Sequence, residues 1–393
     1  MRILVGITGG IAAYKAVGVV RLLVEAGHDV KVIPTANALR FVGAATLEAI
    51  SKNTVDPDLY TDVADVKHVE LGQSADLIIV APATASFLAR TAAGLGDDLL
   101  SSSILASKAP VLFAPAMHTE MWENPSTVAN VATLRSRGIS VLEPAVGRLT
   151  GADTGKGRMP EPEQIVEAAL NLFVPQDLAG VKVLVTAGGT REPIDSVRYI
   201  GNSSSGLMGL ALCKAAKSRG ADVRLIAANL EVGLTDGQVD VSTTQELRGA
   251  LSDLVPSADV LIMAAAVSDY RIENPSSSKL KKADLGSTPT LHMVENPDLL
   301  AELADNRSAS SHQFLIGFAA ETLSGDDLVA SARKKLSTKN VDLIVANDVS
   351  GGAVFGSTVT SIKLVSRHDQ SSFEGSKLDA AHAILNWIVR ARK

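Results

Sequence analysis

The chain has 393 residues, a net charge of −6, and is 46% apolar, 20% charged and only 4% aromatic. That length exceeds what one hydrophobic core usually serves, so two domains are expected. The apolar fraction excludes a disordered chain, and the negative balance excludes a dedicated nucleic-acid binder, which carries a basic face. A phosphorylated ligand remains open, because a pocket needs only a few cations and backbone N–H groups. One cysteine, Cys213, excludes an intramolecular disulfide and a cysteine metal cluster. The N-terminus runs directly into a strand-like segment and no apolar run is long enough to span a bilayer, so no membrane association is expected and the cytoplasm is the expected compartment.

Ile3–Ile7 reads as a buried strand ending in Thr8-Gly9-Gly10. Ala12–Ala26 follows as a helix with Val17, Val20, Leu23 and Val24 on one face, closed by Gly27. Val30–Ile33, Leu77–Val80, Val111–Ala114 and Ser140–Leu142 are further strands. After a junction at Phe173–Gly180 the pattern restarts. Lys182–Thr186 leads into Ala187-Gly188-Gly189-Thr190, and Val223–Ala227, Val260–Ala264, Phe314–Phe318, Leu343–Ala346 and Ser361–Val365 continue the series. Runs apolar throughout, separated by helices, indicate parallel sheets covered on both faces. The expectation is an α/β chain of two doubly wound Rossmann-like domains, residues 1–175 and 176–393. Asn274–Lys282, with a proline, three serines and Lys279-Leu280-Lys281-Lys282, reads as a mobile surface loop.

Gly6–Lys15 places a glycine turn between a strand and a helix N-terminus, a geometry that presents unpaired N–H groups to an anion such as phosphate. A tight βα turn without a ligand reads equally well. The turn is not GxGxxG, which disfavours an NAD-dependent oxidoreductase. His68 stands just before a strand, where a structural histidine competes with a functional one, and Pro115–Trp122 follows a strand end. Together with Ala81–Ala85 and Asp97–Leu100, these segments resemble the homo-oligomeric flavin-containing cysteine decarboxylases. The resemblance implies FMN held by Gly9, Gly10, Ile11, Thr35, Ala83, Thr84 and Met117, and His68 as catalytic base or orienting group. It implies oxidation of a cysteinyl thiol to a thioaldehyde, loss of CO2 and return of the hydride. His118 stands where the family usually has asparagine, and imidazole can likewise donate to a substrate carboxylate. The flap Thr150–Met159 lacks the cysteine that many members carry, leaving Thr150, Asp153 or a water as proton donor.

In the second half, Arg198–Gly206 sets hydroxyls, Asn202 and glycine ahead of a helical run at Leu210–Ala216, which reads either as an anion cradle or as a serine-capped loop. Lys279, Lys281, Lys282, Lys335 and Lys339 flank strand ends and suggest a triphosphate site. Eight motifs in order resemble the phosphopantothenate–cysteine ligases: Ala187–Pro193, Asp195–Tyr199, Asn202–Gly206, Ala265–Tyr270, Lys279–Lys282, Asn296–Asp298, Gly317–Thr322 and Lys339–Asp348. The order decarboxylase then ligase is that of fused bacterial enzymes of coenzyme A biosynthesis. The resemblance implies activation of 4′-phosphopantothenate by CTP as an acyl-cytidylate, then attack by the cysteine amine. The product, 4′-phospho-N-pantothenoylcysteine, is the substrate of the decarboxylase. CTP would be bound by Ala265, Ala266, Val267, Asp269, Lys279, Pro297, Asp298, Leu299, Leu300, Phe318, Lys335 and Lys339. Arg198 and Asn202 would serve phosphopantothenate and the acyl-cytidylate, Lys279 would reach the phosphates, and Mg2+ would accompany the triphosphate, with no ligand set named. Leu207 and Ser196 depart from the usual lysine and proline. A homo-oligomer, with a dodecamer satisfying both trimeric and dimeric contacts, follows from the same resemblance. An alternative keeps the ligase and makes the first half an inactive flavin-binding assembly or regulatory module.

Overall fold

The computed structural model describes all residues except 56–57, 59–65, 149–153, 232–235, 282–287, 309–311, 350–358 and 393. It divides into two compact units, Met1–Val174 and Pro175–Lys393. The first unit contains β1 (Arg2–Ile7), α1 (Ala13–Glu25), β2 (Asp29–Pro34), α2 (Ala44–Ser51), α3 (Lys67–Ser74), β3 (Leu77–Ala83), α4 (Ala85–Ala93), α5 (Leu99–Ala106), β4 (Val111–Pro115), α6 (Thr119–Trp122), α7 (Pro125–Ser136), β5 (Ser140–Val141), β6 (Ala145–Arg148), β7 (Thr154–Arg158) and α8 (Pro162–Asn171). Strands β2-β1-β3-β4-β5 form one sheet, parallel throughout. This is the flavodoxin-like order of doubly wound sheets.

Both faces of this sheet are covered. Ile3, Val5 and Ile7 pack with α1 on one side, while Leu4, Ile78 and Val80 pack with Phe87 and Leu100 on the other. All seven residues of β3 are buried, which is why the sequence shows an unbroken apolar run there. The buried face of α1 is Ala13, Ala16, Val19, Val20 and Leu23. Val17 and Val24, expected in that face, only flank it. Helices α3 and α5 approach closely at Gly72, where a Cβ would stand 2.4 Å from the Ser103 carbonyl oxygen.

The second unit contains β8 (Lys182–Gly188), β9 (Arg191–Pro193), β10 (Tyr199–Gly201), α9 (Leu207–Ser218), β11 (Asp222–Ala228), β12 (Gln238–Val241), α10 (Thr244–Leu254), β13 (Val260–Met263), β14 (Tyr270–Ile272), β15 (Met293–Glu295), α11 (Leu299–Asp305), β16 (Phe314–Glu321), α12 (Gly325–Thr338), β17 (Leu343–Asp348), β18 (Val359–Ser366), β19 (Gln370–Ser376) and α13 (Lys377–Ala391). Its sheet runs β12-β11-β8-β13-β16-β17-β18-β19. The first six follow the Rossmann order 3-2-1-4-5-6 and are parallel.

The expected all-parallel pattern fails at the far edge. There β18, read as another strand of the parallel series, pairs antiparallel with β17, and β19 pairs antiparallel with β18. The sequence carries no sign of β19 because its residues are mostly exposed and lack apolar alternation, as suits a polar edge strand. The hairpins β6–β7, β9–β10 and β14–β15 were likewise not foreseen, being three to five residues per strand with little buried surface. No helix is long and apolar enough to cross a membrane among the described residues.

Cys213 lies on α9 inside the core against Ala187, Leu212 and Ile384. Burial pushes its thiol up to about 12. The native chain is therefore expected to resist a thiol reagent at pH 8 and to release one reactive thiol only in denaturant. Rapid labelling of the folded chain would contradict that packing. Gly72→Ala should destabilise the first unit by about 1–3 kcal/mol, because the obstacle is backbone; denaturant titration followed by circular dichroism measures this.

Candidate functional site

In the first unit the chain order reverses between β1 and β3, and doubly wound sheets bind ligands outside the carboxyl ends of the strands at such a point. Gly9, Gly10 and Ile11 lie there, between β1 and α1. A Cβ on Gly9 would stand 2.4 Å from Asn37 Cβ, so only glycine fits against the loop after β2. In that loop the Thr35 N–H donates to Ile7 O at 2.8 Å. Thr8 Oγ1 donates to Pro82 O at 2.8 Å, and the Thr84 N–H donates to Thr8 Oγ1 at 3.1 Å. Thr84 also caps α4 by accepting from the Phe87 N–H. The Ala116 N–H donates to Ala83 O at 3.2 Å and the Met117 N–H to Gly157 O at 3.0 Å. Six of the expected flavin residues (Gly9, Gly10, Thr35, Ala83, Thr84 and Met117) are thus brought together from four neighbouring strand ends.

Helix α1 follows Ala12 without a side-chain cap; the Ala13 N–H turns back to Gly10 O at 2.9 Å and the Lys15 N–H to Ala12 O at 3.0 Å. Ile11 and Tyr14 are 60% and 63% exposed at the same turn. Lys15, to which the sequence reading gave no separate role, is nearly buried. Its Nζ donates to Met159 O at 3.3 Å and to Glu161 Oε1 at 2.9 Å, tying α1 to the base of the β6–β7 hairpin. That bond holds the Glu161 carboxyl below its usual range. His118 is exposed at the N-cap position of α6. His68 is half-buried in the first turn of α3, the helix that precedes β3. The contacts that knit the strand ends together do not include it. Thr150 and Asp153 lie outside the described residues.

In the second unit the reversal falls between β8 and β13. A cavity of about 490 Å³ opens at the adjoining strand ends. Its lining holds Asn202, Ala265, Ala266, Val267, Asp269, Pro297, Asp298, Leu299, Leu300, Phe318, Lys335 and Lys339, every expected nucleotide residue except Lys279. Asn202 Nδ2 donates to Val267 O at 2.9 Å, fastening the loop after β10 to the rim. Lys279 is exposed and Arg198 turns away to Asp195 and Leu280; neither lines the cavity.

Charge inside the cavity is paired. Lys335 Nζ meets Glu321 Oε1 at 2.7 Å and Lys339 Nζ meets Asp298 Oδ2 at 2.8 Å. The Lys335 bond holds the Glu321 carboxyl below its usual range. Asp298 also caps α11, accepting from the Ala301 N–H at 3.2 Å. The lining also includes residues to which the sequence gave no role, among them Ser268, Asn347, Thr360 and Lys377. Ser268 Oγ and Asn347 Oδ1 are buried without a hydrogen-bond partner, and burial lowers the Lys377 ammonium below its usual range. Asn347 sat within a recognised motif but without a role, and Lys377 follows β19, the strand the sequence did not signal. Among the described residues no group of three His, Cys, Asp or Glu side chains gathers to hold a metal.

Two family models match the chain: Flavoprotein over residues 1–173 and DNA/pantothenate metabolism flavoprotein C-terminal domain over residues 178–391. The coenzyme A biosynthesis bifunctional protein CoaBC of Mycobacterium tuberculosis H37Rv is 54% identical over 369 residues, spanning 90% of this chain and 87% of that protein. The protein of the same name from Vibrio cholerae is 42% identical over 393 residues, spanning 98% and 97%. Among solved structures, a C-terminal domain of CoaBC is 31% identical and covers 55% of this chain and 97% of its own, with a TM-score of 0.45. Strand order, the two strand-end sites and these full-length identities agree: the chain belongs to the CoaBC family, bifunctional flavoprotein enzymes of coenzyme A biosynthesis that combine decarboxylase and ligase activities.

Proposed function

We propose that residues 176–393 form a CTP-dependent ligase joining cysteine to 4′-phosphopantothenate, and that residues 1–175 form an FMN-dependent decarboxylase converting the product, 4′-phospho-N-pantothenoylcysteine, to 4′-phosphopantetheine, both in the cytoplasm. The observation that carries the ligase reading is the gathering of the nucleotide residues Ala265–Val267, Asp269, Pro297–Leu300, Phe318, Lys335 and Lys339 around one cavity. A carboxylate is a poor electrophile. Its attack on the α-phosphorus of CTP forms an acyl-cytidylate and releases pyrophosphate. The cysteine amine then attacks the acyl carbon, and CMP leaves as the amide forms.

Lys335 and Lys339 would exchange their carboxylate partners for phosphate oxygens, and the start of α11 adds N–H groups of the right polarity. Exposed and half-exposed pairs of this kind contribute about 0–1 kcal/mol, so the exchange costs little. Lys279 would be the further cation on the triphosphate, and Arg198 and Asn202 would hold the phosphopantothenoyl part. Mg2+ would arrive on the triphosphate itself.

In the first unit the uncapped start of α1 and the Gly9–Gly10 turn fit the phosphate of FMN, with Thr35, Ala83, Thr84 and Met117 around the ring system. When bound, FMN supplies the reversible two-electron oxidation that makes loss of CO2 possible. His68 would accept or orient a proton, and His118 would donate an imidazole N–H to the substrate carboxylate. A homo-oligomer belongs to the same reading, proposed as a dodecamer that satisfies trimeric and dimeric contacts.

Lys279→Ala should abolish CMP formation and leave CO2 release from synthetic 4′-phospho-N-pantothenoylcysteine intact. Joint loss of both activities would contradict the division of labour. His68→Asn should remove CO2 release alone; an unchanged rate would return His68 to a structural role. Bound flavin without any CO2 release in the unaltered chain would favour an inactive flavin module.

A further inference from the structure

Arg198 and Asn202, assigned to the phosphopantothenoyl part, and Lys279, assigned to the triphosphate, come from two separate stretches of chain. One buried carboxylate connects them. The Asp195 side chain is fully buried. Its Oδ1 accepts from the Val197 and Arg198 N–H groups, both at 2.8 Å. Its Oδ2 accepts from Arg198 Nε at 2.9 Å, from Arg198 Nη2, and from the Leu280 N–H at 3.1 Å. Arg198 Nη2 also donates to the Leu280 carbonyl at 2.9 Å. The Asp195–Arg198 pair therefore grips Leu280, the residue after Lys279, at both its N–H and its C=O. A second tether lies nearby, where the Ser276 N–H donates to Ile194 O at 3.0 Å.

From this grip the path to the cavity is short in sequence. Arg198 enters β10, and Asn202 follows it and bonds Val267 on the rim. The Lys279 side chain is exposed, so where its ammonium can reach depends on where its backbone is anchored. Arg198 spends Nε and Nη2 on the grip, and a guanidinium has five N–H donors, so its Nη1 pair remains for an anionic substrate group. The Arg198 guanidinium, with the Val197, Arg198 and Leu280 N–H groups, holds the Asp195 carboxyl well below the usual carboxylate range, favouring the charged form that accepts these bonds.

We propose that Asp195 is a positioning residue of the ligase centre, fixing the backbone that carries Lys279 to the hairpin that carries Arg198 and Asn202. This rests on the reading of Lys279 as a phosphate contact. Asp195 touches no reacting atom; it acts by holding Leu280. An amide in its place would turn an N–H toward the donors of Leu280 and Arg198 and release the segment.

The test uses the full-length chain with two variants. Asp195→Asn removes the charge. Leu280→Pro removes the N–H from which Asp195 accepts, fixes φ at 280 and restricts the Lys279 backbone, yet leaves the buried Asp195–Arg198 turn intact, so it serves as the second variant if Asp195→Asn folds poorly. Hydrogen exchange by mass spectrometry follows peptides covering residues 273–281, and CMP formation is measured against CTP concentration. Leu280→Pro should speed exchange at Ser276–Lys279 and lower kcat for CMP formation by about 10²-fold, the scale of a misplaced catalytic group. Melting temperature and CO2 release should stay near those of the unaltered chain. Unaltered exchange, or faster exchange with unaltered CMP formation, overturns the proposal. An inactive Lys279→Ala beside an active Leu280→Pro removes only the anchoring role, whereas an active Lys279→Ala removes the phosphate contact on which it rests.

Discussion

The parallel pairing of β8 with β13 is the constraint on which the ligase half depends. Val183 stands opposite Val260 and Thr186 opposite Met263. The alignment continues past the strands, where Gly189 bridges Ala266. In this register Thr186 Oγ1 accepts from the Ala265 N–H at 3.1 Å and Thr190 Oγ1 from the Ser268 N–H at 2.9 Å. Both threonines are fully buried, so a slip of one residue would take the Ala265 N–H from Thr186, at about 1–3 kcal/mol, leave Thr190 with Thr244 Oγ1, and turn the strand's apolar side chains to the wrong faces.

A second ring of buried polar groups holds the next part of the rim. Glu192, 3% exposed, accepts from the Thr244 N–H at 2.9 Å and from Thr244 Oγ1 at 2.7 Å. Asn296 Nδ2 donates to Ser268 O at 2.9 Å, and its N–H donates to Asp269 O at 2.8 Å. Glu192 and Asn296 belong to motifs that carry the family resemblance; Glu192 is outside the cavity lining, and Asn296, which is in it, spends its amide on neighbouring segments that line the cavity with it. Their side chains shape the Ala265–Asp269 and Pro297–Leu300 segments. Residues of one motif therefore divide into those that line the cavity and those that hold that lining in place.

The two strand-end sites solve different electrostatic problems. The first is assembled from backbone N–H groups, hydroxyls and one uncapped helix start, and its nearest cation, Lys15, is committed to Glu161 and Met159 O. That arrangement suits one phosphate group held by fixed dipoles. The second gathers lysines already facing carboxylates, an arrangement that suits the proposed triphosphate, which would take the carboxylates' place without bare cations having to be kept apart.

The apolar runs of β1, β3, β8 and β13, and the glycine turns after β1 and β8, were legible because a strand buried on both faces must be apolar throughout and a βα turn needs small residues. From these the sequence by itself determined two doubly wound units and, through its ordered motifs, most of the residues around each strand-end crevice. It was silent on β19, whose exposed polar residues have no periodicity, and hence on Lys377, which that strand delivers to the cavity. It placed Lys279 and Arg198 among the ligand contacts, while only the tertiary structure decided that Arg198 grips Leu280 together with Asp195 and that Lys279 stands outside the cavity lining. The reason is physical: periodicity and motif order report what a residue's own element requires, but a hydrogen bond between residues 195 and 280 depends on how separate loops dock, which no local pattern encodes.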